Sequence, residues 1–289
     1  MPLHRSLLFA PAARPELMEK AGHSGADALI FDLEDSVPPA GKPGARINLQ
    51  TALAKPGEPP IFVRVNHPSE NDTAADIGAL VGSRLAGILL PKAERTDEIH
   101  LVDRLLKETE ERLGLAKDTL LLIPMIETCL GLRNAFELAS AVPRIGGMCL
   151  ASAEEGDFML DLGGRWTPEG EALLYARGRL VCEGRAAGVE WLIDGVFMNL
   201  KDDDALRRES ILARNMGYLG KMAIHPRQLP VLHEVFSPTA EEVDYAIGLV
   251  EAMRTAEAEG RGATQYRGMM VDYANLKRAK KVLERMKAG

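Results

Sequence analysis

Leu120-Leu121-Leu122-Ile123-Pro124-Met125-Ile126-Glu127-Thr128 is a short apolar run closed by a carboxylate and a hydroxyl, and an amphipathic stretch over 129–141 follows it. A run of this length, apolar on every side chain up to its polar end, is a strand buried on both faces that feeds a helix. Working outward, comparable runs recur at 6–9, 28–31, 61–65, 87–90, 145–150, 191–193 and 221–224, which with 120–125 makes eight candidate strands. Between them, periodic spacing predicts helices over 15–22, 44–53, 73–80, 96–112, 129–141, 167–187, 202–216 and 227–235.

Strands alternating with helices bury a parallel sheet from both sides, and eight repeats can close that sheet and remove its edges. The expected fold is therefore a (β/α)8 barrel over 1–238. An open doubly wound sheet would use the same local pattern, and the runs at 6–9 and 191–193 are short for barrel strands. Past the eighth strand, 239–259 reads as a helix, 260–268 as a Gly-rich loop and 275–287 as another helix. This 239–289 segment exceeds what a barrel needs; it could cap the barrel mouth as a helical lid or reach a neighbouring subunit.

The 289 residues are 46% hydrophobic and 27% charged, ordinary for a globular chain and unsuited to long disorder. A net charge of −7 offers no general attraction to nucleic acid or to an anionic membrane. Cys129, Cys149 and Cys182 lack any Cys-x-x-Cys or zinc spacing and are expected to be small buried residues in a reducing compartment. The apolar stretch at 7–11 is too short for a secretory signal, and no segment approaches the ~20 apolar residues of a membrane span. A cytoplasmic location is the expectation.

In a barrel, ligands meet the carboxyl ends of the strands, so the polar residues after each apolar run are read first. They are Asp32, Glu34 and Asp35, then Arg64 and Asn66, then Lys92, Glu127 and Asp157. Two converging carboxylates, Glu127 and Asp157, repel each other unless a cation lies between them, and Mg2+ suits such a set better than zinc. Helix capping by Glu127 and a solvated loop acid at 157 are the alternative, and Glu154 and Glu155 compete for the second ligand position. Arg64, flanked by Val63 and Val65, needs an anion: either a substrate carboxylate gripped by its planar fork or a structural pair with Asp32 or Glu34. The acids at 32–35 could orient metal-bound waters or salt-link to Lys42 and Arg46. His225 is a mouth residue or a structural imidazole. Neither a dinucleotide fingerprint nor a Walker loop occurs, and no serine or histidine pattern marks a hydrolase or zincin.

The segments Arg5-Ser6-Leu7-Leu8-Phe9, Asp32-Leu33-Glu34-Asp35-Ser36-Val37, Arg64-Val65-Asn66, Pro91-Lys92, Pro124-Met125-Ile126-Glu127-Thr128, Asp157-Phe158, Asp161-Leu162-Gly163, Gly220-Lys221 and Ile224-His225-Pro226 occur in order along the chain. With them the sequence resembles the citrate lyase beta-subunit-like group of the HpcH/HpaI aldolases, which includes malyl-CoA and citramalyl-CoA lyases. The resemblance implies a (β/α)8 barrel, a homotrimer or larger oligomer, and Mg2+ held by Glu127 and Asp157. It further implies that Arg64 binds the carboxylate of a 2-oxo acid, with Asp32 and Glu34 beside the metal's waters. Arg267-Gly268-Met269-Met270-Val271-Asp272 is similar to the group's lid motif, which makes Asp272 the acid/base at the acyl-thioester carbon. The implied activity is cleavage of a malyl-, citramalyl- or citryl-type CoA thioester, or the reverse condensation. A thioesterase, a pyruvate aldolase or a non-catalytic subunit binding an acyl-carrier protein would share parts of this constellation. Two departures are Ala12-Ala13, where the group often has Pro-Gly after the first strand, and Gly156, where an acid often precedes the metal Asp.

Overall fold

The computed structural model describes residues 4–167 and 169–288. Residues 1–3, 168 and 289, which fall at the outer ends of the two expected domains and inside the expected 167–187 helix, lie outside the described residues. The chain divides into two compact units, 4–233 and 234–288.

In the first unit β1 (Ser6–Pro11), β2 (Ala28–Asp32), β3 (Ile61–Arg64), β4 (Leu85–Leu90), β5 (Leu121–Ile126), β6 (Gly147–Leu150), β7 (Trp191–Asp194) and β8 (Gly220–Ala223) form a closed barrel in sequence order. Every neighbouring pair is parallel, and closure comes from Leu7 of β1 lying opposite both Ala28 of β2 and Met222 of β8. The short runs at 6–9 and 191–193 are thus full barrel strands, and the open-sheet alternative is excluded.

The helices that begin in this unit are α1 (Pro15–Gly22), α2 (Lys42–Leu53), α3 (Thr73–Gly78), α4 (Thr96–Leu113), α5 (Cys129–Arg133), α6 (Ala135–Ser140), α7 (Asp157–Leu162), α8 (Glu171–Ala186), α9 (Asp203–Met216) and α10 (Leu229–Phe236). Two differ from expectation. The 129–141 stretch breaks at Asn134, and residues 157–162, expected as loop, form a helix of six residues that starts without a side-chain cap. A helix that short carries too few turns for its periodicity to register in sequence.

The strand side chains Leu29, Ile30, Val63, Ile88, Leu122, Ile123, Met148 and Ile193 are fully buried. Each such side chain contributes roughly 1.5–3 kcal/mol by leaving water. At the amino ends of the strands, His4, Phe62 and Trp191 stack with ring centroids 5.4–6.3 Å apart, and the Trp191 indole donates to the His4 carbonyl.

A buried ionic group fixes the β7 end. The Asp194 carboxylate accepts from Arg177 Nε and Nη2 at 3.0 Å, from Lys221 Nζ at 2.6 Å and from the Ser152 hydroxyl at 3.0 Å. Lys221 also donates to Glu209 at 2.6 Å, so two cations and two anions balance in a dry setting. Burial alone would raise the Asp194 pKa, but Arg177 and Lys221 hold it below the ordinary carboxylate range. The next residue, Gly195, donates its N–H to Ser152 Oγ, and a Cβ there would stand 2.3 Å from Ser152 N. Gly195→Ala is therefore expected to push the 151–157 loop outward and to cost about 2 kcal/mol, as overpacked sites do. An unchanged midpoint in urea would remove this close approach as a constraint.

The second unit contains α11 (Ala240–Ala258), a hairpin of β9 (Ala263–Tyr266) and β10 (Met269–Asp272), and α12 (Tyr273–Ala288). Its own core joins Ala246, Leu249, Met253, Val271, Leu276 and Ala279. The expected Gly-rich loop over 260–268 is corrected here: β9 and β10 pair directly across Arg267-Gly268, whose φ values of 47° and 82° make a tight two-residue turn. Arg267 tolerates the left-handed backbone because its guanidinium bonds Asp244 at 2.6 Å and lies over the Tyr245 and Tyr266 rings. Asp272 ends β10 and starts α12: its Oδ1 accepts from Ala274 N at 2.9 Å, and Asn275 Oδ1 accepts from Asp272 N at 3.0 Å.

Two further expectations are corrected. Cys129 and Cys182 are exposed, and only Cys149 is buried. Lys42 and Arg46 do not reach the acids at 32–35; Lys42 bonds Asn66 and Glu70, and Arg46 bonds Asp72 and Asp76. Among the described residues no helix is long and apolar enough to cross a membrane.

Candidate active site

The ends of β2 and β3 lie side by side, with Asp32 in register with Arg64. Arg64 Nε and Nη2 each donate to Asp32 at 2.7 Å in a two-pronged pair. Its Nη1 lies 2.8 Å from Glu34 Oε2, a charge contact without hydrogen-bond alignment, so that oxygen has no hydrogen-bond partner. The structural pairing considered for Arg64 therefore forms, and with both acids. Five N–H donors less the two taken by Asp32 leave three without a hydrogen bond, with Nη1 also 3.6 Å from Asp35 Oδ2, so a further anion would share the guanidinium with these acids. Below the guanidinium, the Phe9 ring centroid is 5.2 Å away. Burial raises the Asp32 pKa, but the Arg64 pair outweighs it and holds Asp32 ionised, while burial pushes Glu34 upward.

Glu127 follows β5 directly, is 4% exposed, and has an Oε1 without any hydrogen-bond partner. Burial first, and the nearby Glu34 charge second, push its pKa up to about 8. Burial without a partner favours the neutral acid, and a cation meeting the carboxylate would offset the same cost. Asp157, at the first turn of α7, presents its carboxylate to the same cavity, which has a volume of about 210 Å³ and is also lined by Arg64, Asp35, Glu155 and Phe9. Lys92, in left-handed backbone at φ 48°, sends Nζ to Asp157 at 2.9 Å and to Glu34 at 3.3 Å.

No group of three or more His, Cys, Asp and Glu side chains is arranged for a metal among the described residues. Two carboxylates lining one cavity still fit a hard ion that keeps several waters, which is the habit of Mg2+ and not of zinc. The unsatisfied Glu127 Oε1 is the specific observation in favour. Because Glu127 must lose its proton to bind a cation, Mg2+ affinity is expected to rise with pH, by up to about tenfold per unit, and to level off above about pH 8. Calorimetric titrations from pH 6 to 9 check this, and a flat profile would count against Glu127 as a ligand.

The cavity thus joins Arg64, Glu127 and Asp157, with Asp32 and Glu34 holding Arg64. Glu155 lines it and Glu154 does not. Asn66 is structural: it is fully buried and donates to the Leu33 carbonyl and to Asp76. His225 is exposed, its ring accepts from Arg227 N in the turn after β8, and it does not line the cavity. Asp272 belongs to the second unit. The apolar wall of Phe9, Met125, Val196 and Met222 escaped the reading of strand ends, because that reading looked only for polar residues. Strand position alone marks three of them, since Phe9, Met125 and Met222 lie near the carboxyl ends of β1, β5 and β8.

A profile of the HpcH/HpaI aldolase/citrate lyase family matches residues 5–226. The citrate lyase subunit beta of Leuconostoc mesenteroides subsp. cremoris is 35% identical over 98% of this chain and 93% of its own length. A (3S)-malyl-CoA thioesterase of Cereibacter sphaeroides is also 35% identical, over 98% of this chain and 95% of its own. Among solved structures, CitE from Mycobacterium tuberculosis in complex with magnesium, acetoacetate and coenzyme A superposes with a TM-score of 0.78 at 31% identity, covering 99% of this chain and 98% of that one. Similarity across nearly the whole length, together with a closed barrel whose mouth gathers Arg64, Glu127 and Asp157, leads to one conclusion: the chain belongs to the HpcH/HpaI aldolase/citrate lyase family.

Proposed function

We propose that this protein is a Mg2+-dependent carbon–carbon lyase that cleaves a 3-hydroxyacyl-CoA thioester to an acyl thioester and a 2-oxo acid, or runs the reverse condensation. The observation that carries the reading is the single cavity in which the unsatisfied Glu127 carboxylate, Asp157 and the Arg64 guanidinium face one small volume.

Glu127 and Asp157 would hold Mg2+, which when bound supplies a Lewis acid for the hydroxyl or keto oxygen of the substrate. Arg64 grips the substrate carboxylate with the donors that Asp32 leaves open, and Asp32 keeps the planar guanidinium aimed. Glu34 restrains the other side of Arg64 and the Lys92 ammonium. In cleavage, the substrate hydroxyl gives up its proton to a base as its oxygen becomes the keto oxygen of the 2-oxo acid, the bond between the hydroxylated carbon and the α-carbon breaks, the thioester carbonyl accepts the electron pair, and protonated Asp272 gives its proton to the resulting carbanion. In condensation, Asp272 removes that same proton, as reversibility demands. Supporting this assignment are the position of Asp272 at the end of β10, where one carboxylate oxygen is fixed by backbone N–H groups, and its exposed side chain.

The 239–289 segment would act as the lid bearing Asp272. The protein is further read as cytoplasmic and as a homotrimer or larger homo-oligomer; light scattering at micromolar concentration tests the latter. The function itself is tested by incubating malyl-, citramalyl- and citryl-CoA with and without Mg2+ and detecting both products by mass. Metal-dependent release of an acyl-CoA and a 2-oxo acid is expected. Free CoA without an acyl-CoA product would favour the thioesterase reading, for which the similarity to a malyl-CoA thioesterase speaks. An acyl-carrier protein could replace CoA as the thiol.

A further inference from the structure

We infer that Ser152 is a positioning residue for the metal centre: its buried hydroxyl fixes the 151–157 loop against the end of β7 and so sets where Asp157 stands relative to Glu127. It rests on Asp157 being a Mg2+ ligand, as read above, and gives a residue outside the cavity control over the affinity of that site.

The loop leaves β6, which lies between β5 and β7 in the barrel, and it is stitched to both neighbours before it reaches Asp157. On one side Ala151 N donates at 2.9 Å to the carbonyl of Ile126, the residue before Glu127. On the other, Ser152 Oγ donates to Asp194 Oδ1 at 3.0 Å and accepts from Gly195 N at 3.0 Å. A single hydroxyl thus spends its donor and an acceptor position on two successive residues at the end of β7. Ala151, Ala153, Glu155 and Gly156 line the cavity, whereas Ser152 is fully buried and does not.

Asp157 depends on that anchorage. Its carboxylate is half-exposed and meets the ammonium of Lys92, a long side chain that is itself partly exposed, and α7 opens at Asp157 without a side-chain cap. Further along α7, Asp161 Oδ2 accepts from Cys129 N at 2.7 Å, but Asp161 is exposed and water competes for both groups. The bond from Ser152 to Asp194 is shielded from water and is correspondingly stronger. Asp194 in turn is clamped by two prongs of Arg177 and by Lys221, so the fixed reference for Asp157 is the buried ionic group behind the loop.

In Ser152→Ala, Asp194 keeps its Arg177 and Lys221 donors, the charges stay balanced and the barrel folds. What is stranded is the Gly195 N–H, buried without a partner, and the loop relaxes until that donor is met. Two carboxylates that share one Mg2+ tolerate little relative displacement, because the ion demands near-ideal octahedral geometry. Groups that orient metal ligands from behind commonly change affinity by about 10- to 100-fold.

The test titrates Mg2+ calorimetrically into the wild type, Ser152→Ala, Asp157→Asn and Ser210→Ala, the last removing another fully buried serine hydroxyl, one that has no hydrogen-bond partner. Affinity is expected to fall about tenfold in Ser152→Ala, further in Asp157→Asn, and to stay within about twofold of wild type in Ser210→Ala. In parallel, amide hydrogen exchange in the presence of a chelator follows the Gly156 N–H, which bonds the Ala153 carbonyl at 3.2 Å inside the loop. Its exchange should quicken at least about tenfold in Ser152→Ala while the β1 and β2 amides keep their wild-type rates. A lowered urea midpoint with Mg2+ affinity within about twofold of wild type would make Ser152 purely structural and overturn the inference. An unchanged Gly156 rate, or an equal loss of affinity in Ser210→Ala, overturns it too. If Asp157→Asn binds Mg2+ as the wild type does, the ligand reading fails instead, and the Gly156 rate alone decides whether Ser152 fixes the loop.

Discussion

Asp272→Asn is expected to lower turnover by about 100-fold or more while leaving Mg2+ affinity and thermal stability unchanged. Asparagine is nearly isosteric with aspartate and is as good a helix N-cap, so the bonds from Ala274 N and Asn275 N that anchor residue 272 at the start of α12 survive the change. What is lost is the only thing the amide lacks, a proton that can be taken up and returned at the thioester α-carbon. Exchange of the acetyl-CoA methyl protons with deuterium, followed by NMR, isolates this step from carbon–carbon bond formation. It should disappear in the variant in parallel with turnover. Wild-type turnover in Asp272→Asn would return the proton-transfer role to another group and would favour an aldolase that never enolises a thioester.

The second large effect concerns the cation. Glu127→Gln keeps the side-chain shape and removes the charge, and Mg2+ affinity measured by calorimetry is expected to fall at least about 100-fold, since a carboxylate ligand is replaced by a weaker amide oxygen. Metal-free stability should move the other way. The folded-state pKa of Glu127 is raised to about 8 from the usual 4.5, so between those values the native protein holds a proton that the unfolded chain has released, and stability falls as pH rises through that window. Glutamine has no proton to lose, and its midpoint in the presence of a chelator should therefore show less decline between pH 5 and 8. A loss of stability together with unchanged Mg2+ affinity would make Glu127 a structural acid.

Much of this architecture was legible in the residues because it rests on local periodicity. Eight apolar runs became eight strands, including the weak pair at β1 and β7, where barrel closure supplies partners on both sides that no single short run advertises. The polar ends were legible for the same reason: Glu127, Arg64 and Asp157 follow their apolar runs in the order that barrel geometry makes meaningful. What was not legible depends on contacts distant in sequence or on unusual backbone. The β9–β10 hairpin turns on Arg267 in a left-handed conformation, made tolerable by Asp244 and two tyrosines, and arginine is not a residue that signals such a turn. Lys42 and Arg46 chose Glu70, Asp72 and Asp76 over the acids at 32–35, a choice set by how α2 and α3 pack and invisible in linear spacing. The two exposed cysteines broke a rule that is statistical and carries no geometry of its own.

The ammonium of Lys92, bridging Glu34 and Asp157, also bears on how the protein survives scarcity. A crowded acidic mouth stripped of its divalent ion would ordinarily strain the loops that carry it. Here a tethered monovalent charge from the chain itself already tempers that repulsion, so chelation should silence the protein reversibly and leave it intact.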